Sequence, residues 1–197
     1  MAKAKPVKKA VAAMGQIRVI GGQWRGRKLP VLSSDGLRPT ADRIKETLFN
    51  WLMFDIRECR CLDLFAGSGS LGFEALSRGA NEVVLVEKEA GVAKQLTENL
   101  IRLSATQGKV MHTDALQFLQ TPAHPFEVVF LDPPFHQQLL PQACQLLEEN
   151  GWLSAHAKIY IEREQGLNLI LPLNWRLLKD KQAGQVSYQL YEREAVL

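Results

Sequence analysis

Residues 61–72 read CLDLFAGSGSLG, and residues 82–88 read EVVLVEK. The first stretch runs from an apolar strand segment, CLDLF, into three glycines in G-x-G-x-x-G spacing, Gly67, Gly69 and Gly72. LGFEALSR then predicts a helix closed by Gly79. Glycines at such a turn let the backbone bend tightly and let a ligand lie against it where a Cβ would collide. VVLVEK is a second strand ending on Glu87, the place from which an acid accepts hydrogen bonds from both ribose hydroxyls. Together these runs predict an α/β sheet holding an adenosine-containing ligand.

Outward from this unit the alternation continues. AGVAKQLTENLIRL is a helix, KVMHTDA a short strand, ALQFLQ a short helix and FEVVFLD a fourth strand. QLLPQACQLLEENG is helical up to Gly151, and KIYIERE is a fifth strand. WRLLKDKQ and QVSYQLYERE, joined across Ala183-Gly184, predict a closing antiparallel pair. Upstream, QIRVIGG and GRKLPVL flank GGQWRG as a β-hairpin, and SSDGLRP is a loop. Thr40 then caps a helix in which Ile44, Leu48, Trp51 and Leu52 recur at helical spacing. Strands alternating with helices mean a mostly parallel sheet covered on both faces. The expected organisation is a disordered basic tail over 1–14 and one domain over 15–197. Within that domain, 15–56 form the hairpin and first helix, and 57–197 the Rossmann-like core.

Composition narrows the function classes. The 197 residues are 46% hydrophobic and 23% charged, which suits one globular core. No apolar run approaches the roughly 20 residues of a membrane helix, and the lysine-bearing start lacks the apolar stretch of a secretory signal, so a cytoplasmic protein is expected. Cys59, Cys61 and Cys144 offer neither a disulfide framework nor a zinc quartet and read as inert buried thiols; no metal is expected. Residues 1–28 hold eight Lys/Arg and no acid, leaving 16 Lys/Arg against 21 Asp/Glu in the rest. A basic arm on an acidic body points to a polyanionic partner.

Two further acids separate this glycine turn from an ordinary nicotinamide or flavin site. Asp63 lies four residues before Gly67, inside the strand, where it can meet the cationic amino end of a methionine moiety. Asp114 follows the third strand in HTDAL, where its carboxylate can accept from an adenine N6 amino group. Phe65, in the turn, and Ala115, beside Asp114, complete the expected cofactor-binding set with Gly67, Gly69 and Glu87.

The chemistry is carried by Asp132-Pro133-Pro134-Phe135, directly after the strand VVFL. Two prolines remove two backbone donors and stiffen the turn, leaving outward carbonyls. An exocyclic base amine is a poor nucleophile because its lone pair is delocalised into the ring. Asp132 and the carbonyl of Pro133 can accept its two hydrogens and turn the lone pair towards a sulfonium methyl, while Phe135 stacks on the base. His136 reads as a surface residue.

LDLFAGSGSLG, Glu87, Asp114 and DPPF resemble the motifs of Rossmann-like amino-methyltransferases. IRVIGGQWRGRKLP followed by LRPTADRIKETLFNWL is narrower and resembles the RsmD family, bacterial 16S ribosomal RNA guanine-N2 methyltransferases, over about residues 16–192. The resemblance implies a seven-stranded methyltransferase sheet and S-adenosylmethionine as donor. It further implies one target guanine in 16S rRNA, presented by an assembled or nearly assembled 30S particle, with ribosomal proteins near the target and a monomeric enzyme. Phe135 stands where many relatives carry Tyr, and the Lys/Ala segment 1–14 extends beyond the family's usual start. Independently, Arg18, Trp24, Arg25, Arg27 and Lys28 set cations around an aromatic on the hairpin, and Arg38, Thr40 and Arg43 sit at a helix start. Both features suit RNA phosphates. Trp24 as hairpin packing and an Arg43–Glu46 surface pair are the plainer readings. Rival functions are an adenine-N6 methyltransferase of DNA or RNA, a non-catalytic RNA-binding module, and a dinucleotide oxidoreductase.

Overall fold

The computed structural model describes residues 14–32, 42–134, 139–166 and 169–195. Arg38, Thr40, Phe135, His136 and nearly all of the basic tail lie outside these residues. A two-stranded antiparallel hairpin, β1 (Met14–Arg18) and β2 (Lys28–Leu32), precedes helix α1 (Asp42–Trp51). The alternating part is β3 (Arg60–Asp63), α2 (Ser70–Ser77), β4 (Glu82–Glu87), α3 (Ala90–Leu103), β5 (Gly108–His112), α4 (Ala115–Phe118), β6 (Phe126–Leu131) and α5 (Leu139–Glu149). It closes with β7 (Leu153–Glu164), β8 (Trp175–Ala183) and β9 (Val186–Arg193).

The seven strands from β3 onward form one sheet in the order β5-β4-β3-β6-β7-β9-β8. β5 to β7 pair in parallel, and β9 is antiparallel to both β7 and β8. The parallel strands are apolar on both faces because both are covered. Cys61, Val83, Leu85, Val128, Phe130 and Tyr160 face a cluster built with α1, α2, α3 and the hairpin. Leu62, Val84, Val129, Leu131, Ile159 and Ile161 face a second cluster with α4 and α5. The doubly wound fold, the seven strands and the closing antiparallel pair all agree with the sequence reading. β7 is longer than KIYIERE, because Leu153–Ala157 continue the strand upstream of a register shift against β6. The three cysteines are buried and free, as read.

Of the predicted apolar face, Ile44, Leu48 and Leu52 are buried as expected, and Phe49 joins them. Trp51 is half-buried and stacks on Tyr188 with ring centroids 5.6 Å apart. Lys45, at 1% exposure, shares that buried face. Its Nζ donates to the carbonyl of Arg18 at 2.6 Å and to Ser70 Oγ at 3.2 Å, with Glu74 Oε2 3.9 Å away. Glu74, itself fully buried, accepts from Ile20 N–H at 2.9 Å and from Arg78 Nε at 2.7 Å. Burial pushes the Lys45 ammonium pKa down, against the pull of Glu74 and Asp42. One partnered ion group thereby seams the hairpin and α1 onto α2, the helix that follows the glycine turn. Asn99 Nδ2 on α3 and Ser77 Oγ on α2 add bonds to the carbonyls of Pro30 and Gly21.

Candidate active site

All the parallel strands end on one edge of the sheet, and each of the first four carries an acid there. In sheet order these are Asp114 after β5, Glu87 closing β4, Asp63 closing β3 and Asp132 after β6. The turn 64–69 between β3 and α2 is held from below. Glu87 Oε2 accepts from Gly67 N–H at 2.9 Å, and Oε1 accepts from Glu89 N–H at 2.7 Å. Gly67 and Gly69 have φ of 50° and 75°, the left-handed region in which a side chain is strained. Gly72 is required for a different reason. A Cβ there would stand 2.7 Å from Leu85 Cδ2 and 3.2 Å from Asp63 Oδ2, so α2 can lie this close to the sheet only without one.

Asp63 is 2% exposed and accepts from Gly72 N–H at 2.9 Å. Burial pushes its carboxyl up to about 7, the Gly72 hydrogen bond lowers it, and neighbouring Glu87 raises it further. A carboxyl poised this way gains most from an arriving cation. Glu87 is half-exposed, and each of its oxygens retains a lone pair after its backbone bond. Asp114 caps α4, with Oδ1 accepting from Leu116 N–H at 2.9 Å and Gln117 N–H at 3.3 Å, and Oδ2 3.6 Å from Lys88 Nζ. Phe65 is half-buried in the turn, and Ala115 is buried at the start of α4. This set of acceptors therefore suits a ligand with ribose hydroxyls and a cationic tail, and S-adenosylmethionine has both.

Asp132 lies next to β3's end across the β3–β6 pairing, half-exposed, with Pro133 buried and Pro134 exposed. Val128 and Phe130 face the α1 side, and the period of two brings Asp132 to that side as well. Of the expected RNA contacts, Arg18, Arg25, Arg27, Lys28 and Arg43 are exposed. Trp24 is half-buried against the first core cluster, and its N–H donates to Ser77 Oγ at 3.0 Å. The hairpin is thus anchored through Trp24 and its backbone while its cations stay outside. No metal-holding group of three or more His, Cys, Asp or Glu occurs among the described residues, and no described helix is long and apolar enough to cross a membrane.

The sequence reading missed Lys45, Glu74 and a buried pair on β7. Tyr160 Oη donates to Glu162 Oε2 at 2.9 Å, and Glu162 is 7% exposed. A signal for Lys45 did exist, since Lys45, Leu48, Phe49 and Leu52 share i, i+3, i+4, i+7 spacing.

The fold has solved counterparts and the chain has described relatives. A protein from Haemophilus influenzae described as Ribosomal RNA small subunit methyltransferase D is 56% identical over 184 residues, covering 91% of this chain and 95% of that protein. The Escherichia coli K12 protein of the same description is 54% identical and covers 92% of each. The solved structure of Escherichia coli yhhF superposes with a TM-score of 0.87 at 52% identity, covering 92% of this chain and all of that one. The family model described as Conserved hypothetical protein 95 matches residues 17–192. With that span and those identities, the chain belongs to the ribosomal RNA small subunit methyltransferase D family.

Proposed function

We propose that this protein transfers a methyl group from S-adenosylmethionine to the exocyclic N2 amine of one guanine in 16S rRNA, on the assembled or nearly assembled 30S particle. The observation that carries the reading is the placement of Asp132-Pro133-Pro134 beside the glycine turn, on adjacent strands β6 and β3 of one edge. The family relatives described as small subunit rRNA methyltransferases support the substrate class.

Glu87 holds the ribose hydroxyls, Asp63 faces the cationic tail, and Asp114 with Ala115 borders the adenine. Bound there, S-adenosylmethionine supplies an electrophilic methyl carbon. Asp132 and the Pro133 carbonyl accept hydrogen bonds from the two N–H groups of the amine, which draws nitrogen out of conjugation and aims its lone pair. As the N–C bond forms and the methyl–sulfur bond breaks, nitrogen gives up one proton on the Asp132 side. Phe135 keeps the base in plane. No covalent enzyme nucleophile is needed, because positioning and fixed dipoles supply the acceleration. Arg18, Arg25, Arg27 and Lys28 on the hairpin, with Arg43 in the first turn of α1 and Arg38 and Thr40 just before it in sequence, track RNA phosphates. The expected protein is cytoplasmic and acts as a monomer.

The test is transfer of labelled methyl to 30S particles from a strain lacking this gene, followed by nucleoside analysis. N2-methylguanine is the expected product. N6-methyladenine would replace the reading with its nearest rival, and NADH binding in place of S-adenosylmethionine would remove the methyltransferase reading.

A further inference from the structure

The row of acids does not stop at Asp132. β7 pairs in parallel with β6, with Phe130 opposite Tyr160 and Leu131 opposite Ile161, so the next residues in register are Asp132 and Glu162. Tyr160 faces the α1 side of the sheet, and Glu162, two residues on, shares that side with its pairing partner Tyr188. The Tyr160 hydroxyl fixes the Glu162 carboxylate by donating to Oε2 at 2.9 Å. Tyr160 is fully buried, and its hydroxyl feels the charge of both Glu162 and Asp132. Two carboxylates thus occupy the next register positions of neighbouring chain segments, Asp132 just past the end of β6 and Glu162 on β7, where Tyr160 holds it.

We propose that Glu162 is a specificity-determining residue that accepts the ring N1–H of the target base while Asp132 holds its N2 amine. This rests on the guanine-N2 reading above. A guanine presents adjacent donors along this edge, N2–H and N1–H. An adenine presents one donor, N6–H, beside a bare N1 acceptor. A pair of acceptors matches the first edge and sets lone pair against lone pair on the second, a buried mismatch that hydrogen-bonding sites reject strongly. Glu162 already stands as an acceptor, since the Tyr160 hydroxyl donates to it. Burial pushes its carboxyl up from the ordinary range, and the bond from Tyr160 pulls it back. Oε2 accepts the hydrogen bond from the Tyr160 hydroxyl, and the carboxylate keeps further lone pairs for the base. The specificity for guanine over adenine then has a location in the fold, β7, outside the cofactor motifs.

The experiment replaces the target guanine by 2,6-diaminopurine in 16S rRNA assembled into particles. The analogue retains the C2 amine but has a bare N1. Wild-type protein is expected to methylate guanine roughly 10²-fold faster than the analogue. Glu162→Gln, whose amide can turn an N–H towards a bare N1, is expected to bring that ratio below about tenfold. A glutamate that only braces the sheet would slow both substrates together and leave the ratio unchanged, which overturns the proposal. A wild-type ratio near one overturns it without any variant, and so stands even where Glu162→Gln does not fold. Failure of the guanine reading is seen separately, as the absence of N2-methylguanine from wild-type reactions on natural particles, and the proposal falls with it.

Discussion

The C-terminal edge of the sheet and the N-terminal hairpin carry opposite charge and hold it in opposite ways. On the edge, Asp63, Glu87 and Asp114 each accept backbone N–H groups, from Gly72, Gly67 with Glu89, and Leu116 with Gln117 respectively. On the hairpin, Arg18, Arg25, Arg27 and Lys28 are exposed and form no ion pair with an acid among the described residues. A small ligand of fixed shape requires acceptors fixed before it arrives. A flexible polyanion is met better by long cations in water, which adapt to its phosphates and release its counterions. The hairpin's order is placed elsewhere, in its apolar inner face and in the Lys45–Glu74 seam. The difference separates a site that positions from a surface that attracts, and each can be broken without the other.

The edge breaks most severely at Asp132. Asp132→Ala removes one preorganised acceptor, and the methylation rate is expected to fall on the order of 10²–10³-fold. Binding of S-adenosylmethionine, followed by calorimetry, should be nearly unchanged, because Asp132 follows β6 and the glycine turn follows β3. Near wild-type methylation by this variant would remove Asp132 from the mechanism.

A smaller effect, with an unusual sign, is expected at Asp63. Its carboxyl titrates near 7 in the folded protein against 3.8 ordinarily, with burial as the largest cause. Between those values the folded chain holds a proton that the unfolded chain has released. Stability therefore declines as pH rises from about 4 to about 7, and the whole penalty is present above 7. Asp63→Asn keeps an acceptor for Gly72 N–H and removes the buried charge. It is expected to stabilise the protein at pH 8 by about 2 kcal/mol, half of the ~4 kcal/mol that the full shift represents, since the amide must itself be buried. Affinity for S-adenosylmethionine should rise with pH through about 7 in the wild type and lose that dependence in the variant. Thermal melts at pH 5 and pH 8 decide the stability part; a variant less stable at pH 8 would contradict the buried-charge account.

What could be read from the sequence follows the same division. CLDLFAGSGSLG and VVLVEK announced the edge because a glycine turn between a strand and a helix is a local pattern, and Gly67, Gly69 and Gly72 are each required by backbone angle or close approach. DPPF was legible for the same reason. HTDAL reads as placing Asp114 at an adenine, and the structure shows the same carboxylate capping α4. Lys45 and Glu74 are 29 residues apart in sequence, and each alone reads as a solvated surface charge. The helical spacing of Lys45 with Leu48, Phe49 and Leu52 marks its face, but its pairing with Glu74 depends on the hairpin and α1 folding back over α2, a long-range contact. Glu162 was hidden likewise, because its meaning comes from register with Asp132 across a parallel pair joined through α5.

The hairpin is where the expected effect is smallest and the comparison is sharpened most. If Arg25, Arg27 and Lys28 each meet a phosphate, changing all three to Ala should weaken binding to 30S particles whatever the target sequence. It should also flatten the dependence of log affinity on log salt by up to about three units, or roughly two where the RNA is single-stranded. Stability should hardly move, because all three side chains are exposed and the anchoring bonds run through Ile20 N–H, Trp24 N–H and the carbonyls of Gly21 and Pro30. Lys45→Met is the control. It leaves every exposed cation in place but removes the donor to the Arg18 carbonyl and to Ser70 Oγ and leaves Glu74 with Arg78 as its one cationic partner among the described residues, so it should lower the melting temperature. Its salt slope should stay at the wild-type value as long as the hairpin remains docked. Were the triple variant to keep both its affinity and its slope, the exposed cations would serve only solubility, and the RNA surface would have to be sought along β8 and β9 instead.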